Sequence, residues 1–411
     1  MKRLALAAAL LGTTGLYAND YIVKVKSNLK HQINLSSYGS SKALDLSFGD
    51  FYLLKNINKS QFSELQNNSS IEYIEPNYKY SKFDLPKDAD FEKQWGLNNT
   101  GKNSGSWWER GTAGVDISAL EAWKITKGSK DIKIAVIDTG VDYTHKDLKD
   151  NIMINELELN GTEGIDDDGN GYIDDIYGYD FANNDADPMD GHGHGTHCAG
   201  VIGASHNGFG IAGVNAKVSI LPVQFLTAKG GGTLEGALKA IQYATDRGVN
   251  VMSNSWGGGG RSQALFDAIE AARDKGISFI AAAGNSNSDN DSKATYPANY
   301  KLDNVISVGA LDGKGKRASF SNYGKKTVHV FAPGVGIYST VAGDQYKKMS
   351  GTSMACPHVA GVAGLLLASE PNLTYAEIKD RLMNTSIIST EISNFTMSGY
   401  VDAQKALTNK R

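Results

Sequence analysis

The chain has 411 residues, more than one hydrophobic core usually organises, so a main domain with a smaller companion is expected. Hydrophobic residues make up 41% and charged residues 21%, and 46 glycines against 8 prolines indicate many tight turns and exclude a disordered chain. A net charge of −4, from 41 basic and 45 acidic residues, offers no broad cationic surface and removes nucleic acid as an expected partner.

The N-terminus opens Met1-Lys2-Arg3, continues through the apolar residues 4–11, and reaches small residues before Tyr17-Ala18-Asn19. Charge, apolar stretch and small residue in that order predict a signal peptide, residues 1–18, cleaved near Ala18. The run is far shorter than the roughly 20 residues of a spanning helix. Residues 359–368, apolar but studded with Ala and Gly, read as a buried helix, so no stable membrane insertion is expected. The expectation is a secreted, monomeric protein, extracellular or periplasmic. The two cysteines, Cys198 and Cys356, allow either one bridge or two buried thiols, of which the second is favoured.

Residues 21–80 carry an apolar strand pattern at Tyr21-Ile22-Val23-Lys24-Val25, a second at Phe51-Tyr52-Leu53-Leu54, a helical pattern over 59–67, and a third strand at 71–77. Strand, strand, helix, strand predicts a small α/β unit, residues 19–84, and the polar residues 78–90 predict a linker. From there to Arg411, apolar runs at 132–137, 218–223, 249–253, 278–283 and 305–308 alternate with helical patterns at 234–247 and 263–275. Two further helical patterns, 375–384 and 401–407, follow near the end. Continuously apolar strands separated by helices predict an α/β fold for residues 85–411, with a mostly parallel sheet between helices in three layers.

Three motifs carry the chemistry. Ile134-Ala135-Val136-Ile137-Asp138-Thr139-Gly140 sets a carboxylate at the C-terminal end of a buried strand, where open α/β sheets build their sites. Gly193-His194-Gly195-Thr196-His197-Cys198-Ala199-Gly200 sets a histidine at a Gly-flanked helix start, and Gly351-Thr352-Ser353-Met354-Ala355-Cys356-Pro357-His358-Val359-Ala360-Gly361 does the same for a serine. A serine hydroxyl needs a base to take its proton, and a carboxylate orients that base and stabilises the imidazolium. The order Asp, His, Ser is that of subtilisin and differs from the chymotrypsin and α/β-hydrolase orders.

These segments resemble those of the subtilisin-like serine proteases, and the resemblance covers most of the chain from Asp88 to Leu407. It implies Asp138 as orienting carboxylate, His194 as general base and acid, and Ser353 as nucleophile. His192 and His197 stand nearby without those roles. Ala281-Ala282-Ala283-Gly284-Asn285 is similar to the family's oxyanion strand, so Asn285 is expected to donate beside the backbone N–H of Ser353. Gly230-Gly231-Gly232 and Ser255-Trp256-Gly257 match the two segments that add a peptide substrate as a strand, which favours broad specificity. Ser286 follows Asn285 and no acidic residue lies beside it, so an apolar or aromatic residue before the cut is expected.

Asp166-Asp167-Asp168-Gly169-Asn170-Gly171-Tyr172-Ile173-Asp174-Asp175 alternates oxygen donors before a turning glycine, in the manner of an EF-hand loop without its final Glu. Relatives with a similar insert bind calcium there, which implies Asp166, Asp168, Asn170, Asp175 and the Tyr172 carbonyl as ligands. The resemblance implies a second calcium site at Asp88, with Asp90 as the alternative to it, Asp147, the Asn207 side chain and the carbonyls of Ser205, Phe209 and Ile211. The 19–84 unit resembles the family's inhibitory propeptide, an intramolecular inhibitor cut off before activity. Two readings of other kinds stay open: an inactive member used for binding, and an esterase or peptide ligase using the same Ser and His.

Overall fold

The computed structural model describes residues 20–77, 85–102, 110–258 and 260–410. The expected signal segment and residues 78–84 of the expected linker lie outside them. The chain divides into two compact units, with the boundary between Asp84 and Leu85.

In the first unit β1 (Tyr21–Val25), β2 (Ser40–Leu44), β3 (Asp50–Lys55) and β4 (Ile71–Pro76) form an antiparallel sheet in the order β2-β3-β1-β4, with α1 (Lys59–Gln66) between β3 and β4 in sequence. β1 alternates by two because one face is covered: Tyr21, Val23 and Val25 are buried with Leu35, Leu54, Leu65 and Ile71. Asn58 starts α1, accepting from the Gln61 backbone while the Gln61 side chain accepts from Asn58, a reciprocal cap. The expected three strands and helix are present, and β2 is added at the edge. Its polar Ser40-Ser41-Lys42 start has no apolar period, as an edge strand needs none.

The second unit is built on seven parallel strands: β5 (Gly128–Asp138), β6 (Tyr179–Asp180), β7 (Lys217–Gln224), β8 (Val251–Asn254), β9 (Ser278–Ala282), β10 (Val305–Leu311) and β11 (Val330–Pro333). Their order is β11-β10-β9-β8-β5-β7-β6. A separate antiparallel hairpin joins β12 (Ile337–Val341) to β13 (Gln345–Met349). The helices are α2 (Ala119–Ala122), α3 (Glu156–Leu159), α4 (His194–Gly203), α5 (Leu234–Asp246), α6 (Gln263–Asp274), α7 (Thr352–Ser369), α8 (Tyr375–Asn384) and α9 (Ala403–Thr408).

β5 shows why the strands read as unbroken apolar runs. Ile134 and Val136 point into one core with Ala199 and Ile202 of α4 and Val359 and Val362 of α7. Their neighbours Ala135 and Ile137 point into the other, with Ala240 and Ile241 of α5 and Ile269 of α6. All four are fully buried, and each large apolar side chain so buried contributes roughly 1.5–3 kcal/mol. α7 is apolar and long enough to cross a membrane by composition, yet 83% of it lies inside this core, as the sequence predicts. From β5 the chain builds β6 and β7 on one side and then crosses to β8 on the other, so the carboxyl end of β5 lies at a topological switch point, the place where such sheets bind ligands.

Candidate active site

Asp138 is the last residue of β5 and is fully buried. Its Oδ1 accepts the Thr139 amide at 2.7 Å and His194 Nδ1–H at 2.7 Å. That bond commits the imidazole proton to Nδ1 and leaves Nε2 as a bare acceptor, the tautomer a general base needs. Burial pushes the His194 pKa down. The charge and hydrogen bond of Asp138, with the charge of Asp190, outweigh it and raise the value above its ordinary 6.5.

α4 begins at His194 because Gly193 turns the chain at φ 93° and Asp190 gathers the helix start. Asp190 Oδ1 accepts from the amides of His192 and Gly193 and from Thr139 Oγ1, while Oδ2 accepts from the amide and hydroxyl of Thr196. A buried carboxylate at a helix N-terminus also meets the positive end of the helix dipole. Gly195 allows α4 to sit on the end of β5, since a Cβ there would collide with the Gly140 carbonyl.

Ser353 lies in the first turn of α7 and is partly exposed. Its hydroxyl donates to the Ser255 carbonyl at 3.1 Å, and Ser255 Oγ donates back to the Ser353 carbonyl at 2.8 Å. Cys198, one turn beyond His194, has its sulfur 4.0 Å from Asp138 Oδ2 and 3.4 Å from the Ser353 carbonyl, so one side chain separates the two. Among the described residues no hydrogen bond joins Ser353 Oγ to His194, a contact that often tightens only with substrate in place.

Asn285 follows β9 and is exposed. Its Oδ1 accepts from the amide and the hydroxyl of Thr352 at 2.8 and 3.0 Å, which turns Nδ2 toward Gly351 and the start of α7. The two glycine-bearing segments leave the strands on either side of β5: residues 230–232 follow β7, and Ser255-Trp256-Gly257 follows β8. Phe225 and Leu226 both donate their amides to the Asp138 carbonyl at 3.1 Å, and the Phe225 ring meets Trp256 at 4.9 Å. Both segments therefore flank the strand that ends at Asp138.

His197 is buried with Nε2 on the Ile337 and Lys347 carbonyls at 2.9 and 3.1 Å, and burial lowers its pKa to about 4, so it is a neutral packing residue. His192 is exposed, its ring 6.2 Å from that of His194. Cys198 and Cys356 are free and buried, and burial pushes the Cys356 thiol up to about 11.

Asp88 and Asp147 meet at the 205–211 loop. Asp88 Oδ1 accepts the amides of Asn207 and Gly208, and Asp147 accepts from Asn207 Nδ2, the Ile211 amide and the Tyr346 hydroxyl. Asp88 Oδ2 is buried without a partner, and burial raises the pKa of both carboxyls. In the other acidic loop, Asp166 and Asp168 come within 4.8 Å of Glu158, a residue with no sequence signal. Glu158 accepts the amides of Asp167, Asp168 and Asp174. Asn170 donates to both Asp168 and Asp175, and its Oδ1 accepts the Tyr172 amide. Asp175 shares Asn170, Asn155 and Arg247 with Asp168 and adds a tyrosine: it accepts from Tyr243 at 2.5 Å and Asn155 at 2.6 Å, and lies 3.5 Å from the Arg247 guanidinium.

A parallel sheet with a carboxylate–imidazole pair at its switch point, beside a serine at a helix start, defines a serine hydrolase site. The subtilase family matches residues 129–409, and the chain belongs to that family, as a subtilisin-like serine endopeptidase. It is 40% identical over 347 residues to the thermophilic serine proteinase of Bacillus sp. strain AK1, covering 84% of this chain and 74% of that protein. With thermitase of Thermoactinomyces vulgaris it shares 39% identity over 292 residues, 71% of this chain and 93% of the other. A solved structure described as a protease from Pseudoalteromonas arctica aligns with TM-score 0.64 and 28% identity, covering 79% of this chain and 99% of that one.

Proposed function

We propose that this endopeptidase works through Ser353 as nucleophile, His194 as base and Asp138 as its orienting carboxylate, with Asn285 and the Ser353 amide binding the oxyanion. The observation that carries the reading is the 2.7 Å bond from His194 Nδ1 to buried Asp138. A peptide laid against residues 230–232 and 255–257 adds as a strand, and its N–H groups compete for carbonyls such as that of Ser255. The Ser353 hydroxyl then turns to His194 Nε2, which takes its proton as oxygen attacks the scissile carbonyl. His194 passes that proton to the leaving amine, and water repeats the sequence on the acyl-enzyme. An oxyanion donor of this kind is worth about a hundred- to a thousand-fold in turnover, a figure that comes from subtilisin. Exposed glycines and the Trp256 ring along the binding segments support broad specificity with an apolar or aromatic residue before the cut.

Calcium is proposed as a structural ion. The Asp88 and Asp147 donors fit it: both are buried oxygen ligands, one oxygen has no partner, and neither has an ion pair to a Lys or Arg among the described residues. Asp88, Asp147, the Asn207 side chain and the carbonyls of Ser205, Phe209 and Ile211 would hold it. The loop with Asp166, Asp168, Asn170, the Tyr172 carbonyl and Asp175 is a second candidate, modified by Arg247. The 19–84 unit is proposed as a self-cleaved inhibitory propeptide, and residues 1–18 as the export signal.

Ser353→Ala and His194→Ala are expected to lower peptide hydrolysis by roughly a thousandfold or more, and His192→Ala to keep it. Intact mass of the secreted Ser353→Ala protein should show the uncut precursor. Near-normal hydrolysis by either triad variant would overturn the reading, and a cut Ser353→Ala chain in isolation would overturn self-processing.

A further inference from the structure

Asn322, in the loop between β10 and β11, is 1% exposed and has its hydrogen-bonding groups turned to the segment that carries Asn285. Its Oδ1 accepts the amides of Ser286 at 2.9 Å and Ser288 at 3.0 Å. Its Nδ2 donates to the Ala283 carbonyl at 3.0 Å, and also to Asn290 Oδ1 and Thr295 Oγ1. The Asn322 backbone amide donates to the Gly284 carbonyl at 2.8 Å. Asn285 is thus bracketed, two residues before it and two after it being tied to one side chain and its own backbone. Gly284 turns at φ +108°, and a Cβ there would press on the Asn322 amide group, so the chain bends directly over it.

We infer that Asn322 is a positioning residue for the oxyanion donor. This inference rests on the reading of Asn285 given above. The Asn285 side chain is held at its oxygen by Thr352, but where its Cα stands depends on the bracket. A carboxamide is the side chain that suits the place, since it must offer two acceptor directions to two amides and donors to a carbonyl at once. A carboxylate would face the Ala283 carbonyl without a proton to give. A displacement of the donor by about 1 Å costs up to a hundredfold in rate, and the loss falls on the transition state because only there is the oxygen charged.

The test is a double-substitution cycle on the mature enzyme, with active sites counted by titration with an irreversible serine reagent. Asn322→Ala is expected to lower kcat roughly 10- to 100-fold with KM within about threefold, and to weaken a peptide boronic acid in proportion. In the Asn285→Ala background the same change should cost less than about threefold. Asn322→Ser, which keeps one hydrogen bond, carries the same cycle if Asn322→Ala does not fold, with an intermediate loss. If Asn285→Ala itself leaves kcat unchanged, the oxyanion assignment fails and the inference with it. If Asn285→Ala is slow but the Asn322 loss multiplies with it, appears in KM, or is absent while the melting temperature falls, Asn322 is structural only.

Discussion

The two acidic loops solve one electrostatic problem in opposite ways. At Asp88 and Asp147 the carboxylates are buried, one oxygen has no partner, and burial raises both pKa values. In the 166–175 loop the most deeply buried carboxylate, Asp175, has a built-in counter-charge, because Arg247 reaches Asp168 at 3.1 Å and Asp175 at 3.5 Å. Tyr243, Asn155 and Asn170 complete its partners. The lesson is that a count of acidic residues does not rank metal sites. The loop with the richer motif has partly neutralised itself, and the poorer one keeps its buried carboxylates without an ion pair among the described residues.

Removing the counter-charge is the strongest way to break this contrast. Arg247→Ala leaves Asp175 buried beside Asp168 without a cation, and stripping one partner from a buried pair costs roughly 3–5 kcal/mol. Urea unfolding should show a loss near the lower figure, in chelator and in calcium alike. A loss below about 1 kcal/mol would mean the loop is not self-neutralised.

Chelation comes next in size. Calcium at a hundred times its dissociation constant stabilises a folded state by roughly 3 kcal/mol, so wild type in chelator should melt several degrees lower. Asp147→Asn should remove most of that response while Asp175→Asn leaves it in place. The comparison is reversed if the response survives Asp147→Asn and vanishes with Asp166→Asn.

The smallest effect is in pH. Asp88 and Asp147 have folded pKa values above the ordinary 3.8, so their contribution favours folding at low pH and is lost as pH rises through the raised values. Asp168 is the opposite case: burial pushes its pKa up, but Asn155, Asn170 and Arg247 together bring it below 3.8. Its contribution is present above 3.8 and is lost as pH falls through the lowered value. In chelator, Asp88→Asn with Asp147→Asn should therefore remove a component that strengthens on acidification, and Asp168→Asn one that weakens. Equal slopes in the two variants would erase the distinction.

Much of the fold was legible because its strands are buried on both faces. The apolar runs at 132–137, 218–223, 278–283 and 305–308 lie in β5, β7, β9 and β10 or overrun by one residue, and helix 375–384 matches α8 residue for residue. The run at 249–253 starts two residues early, since Asn250 leaves the strand pattern to bond both backbone groups of Lys133. β6, with two residues, and β13, which reads Gln345-Tyr346-Lys347-Lys348-Met349, carry no such pattern. The same divide runs through the site. Asp138, His194 and Ser353 sit in contiguous motifs that reflect local needs, a strand end and two helix starts. Arg247 and Asn322 act through residues far along the chain and Glu158 across the span of a loop, while Asp190, an acid just before a helix start, bonds mostly to near neighbours and left a local trace.

One consequence follows from α7. Ser353 stands at its first turn, and of its 18 residues those from Met354 to Leu367 are buried without interruption. A peptidase is surrounded by copies of itself, and each must avoid being food for the next. To be cut, a segment has to detach and lie extended in a neighbour's cleft, and these residues cannot do that while the fold stands. The helix that carries the proposed nucleophile is thus closed to a second copy while the fold stands, and the exposed loops are the segments open to cutting.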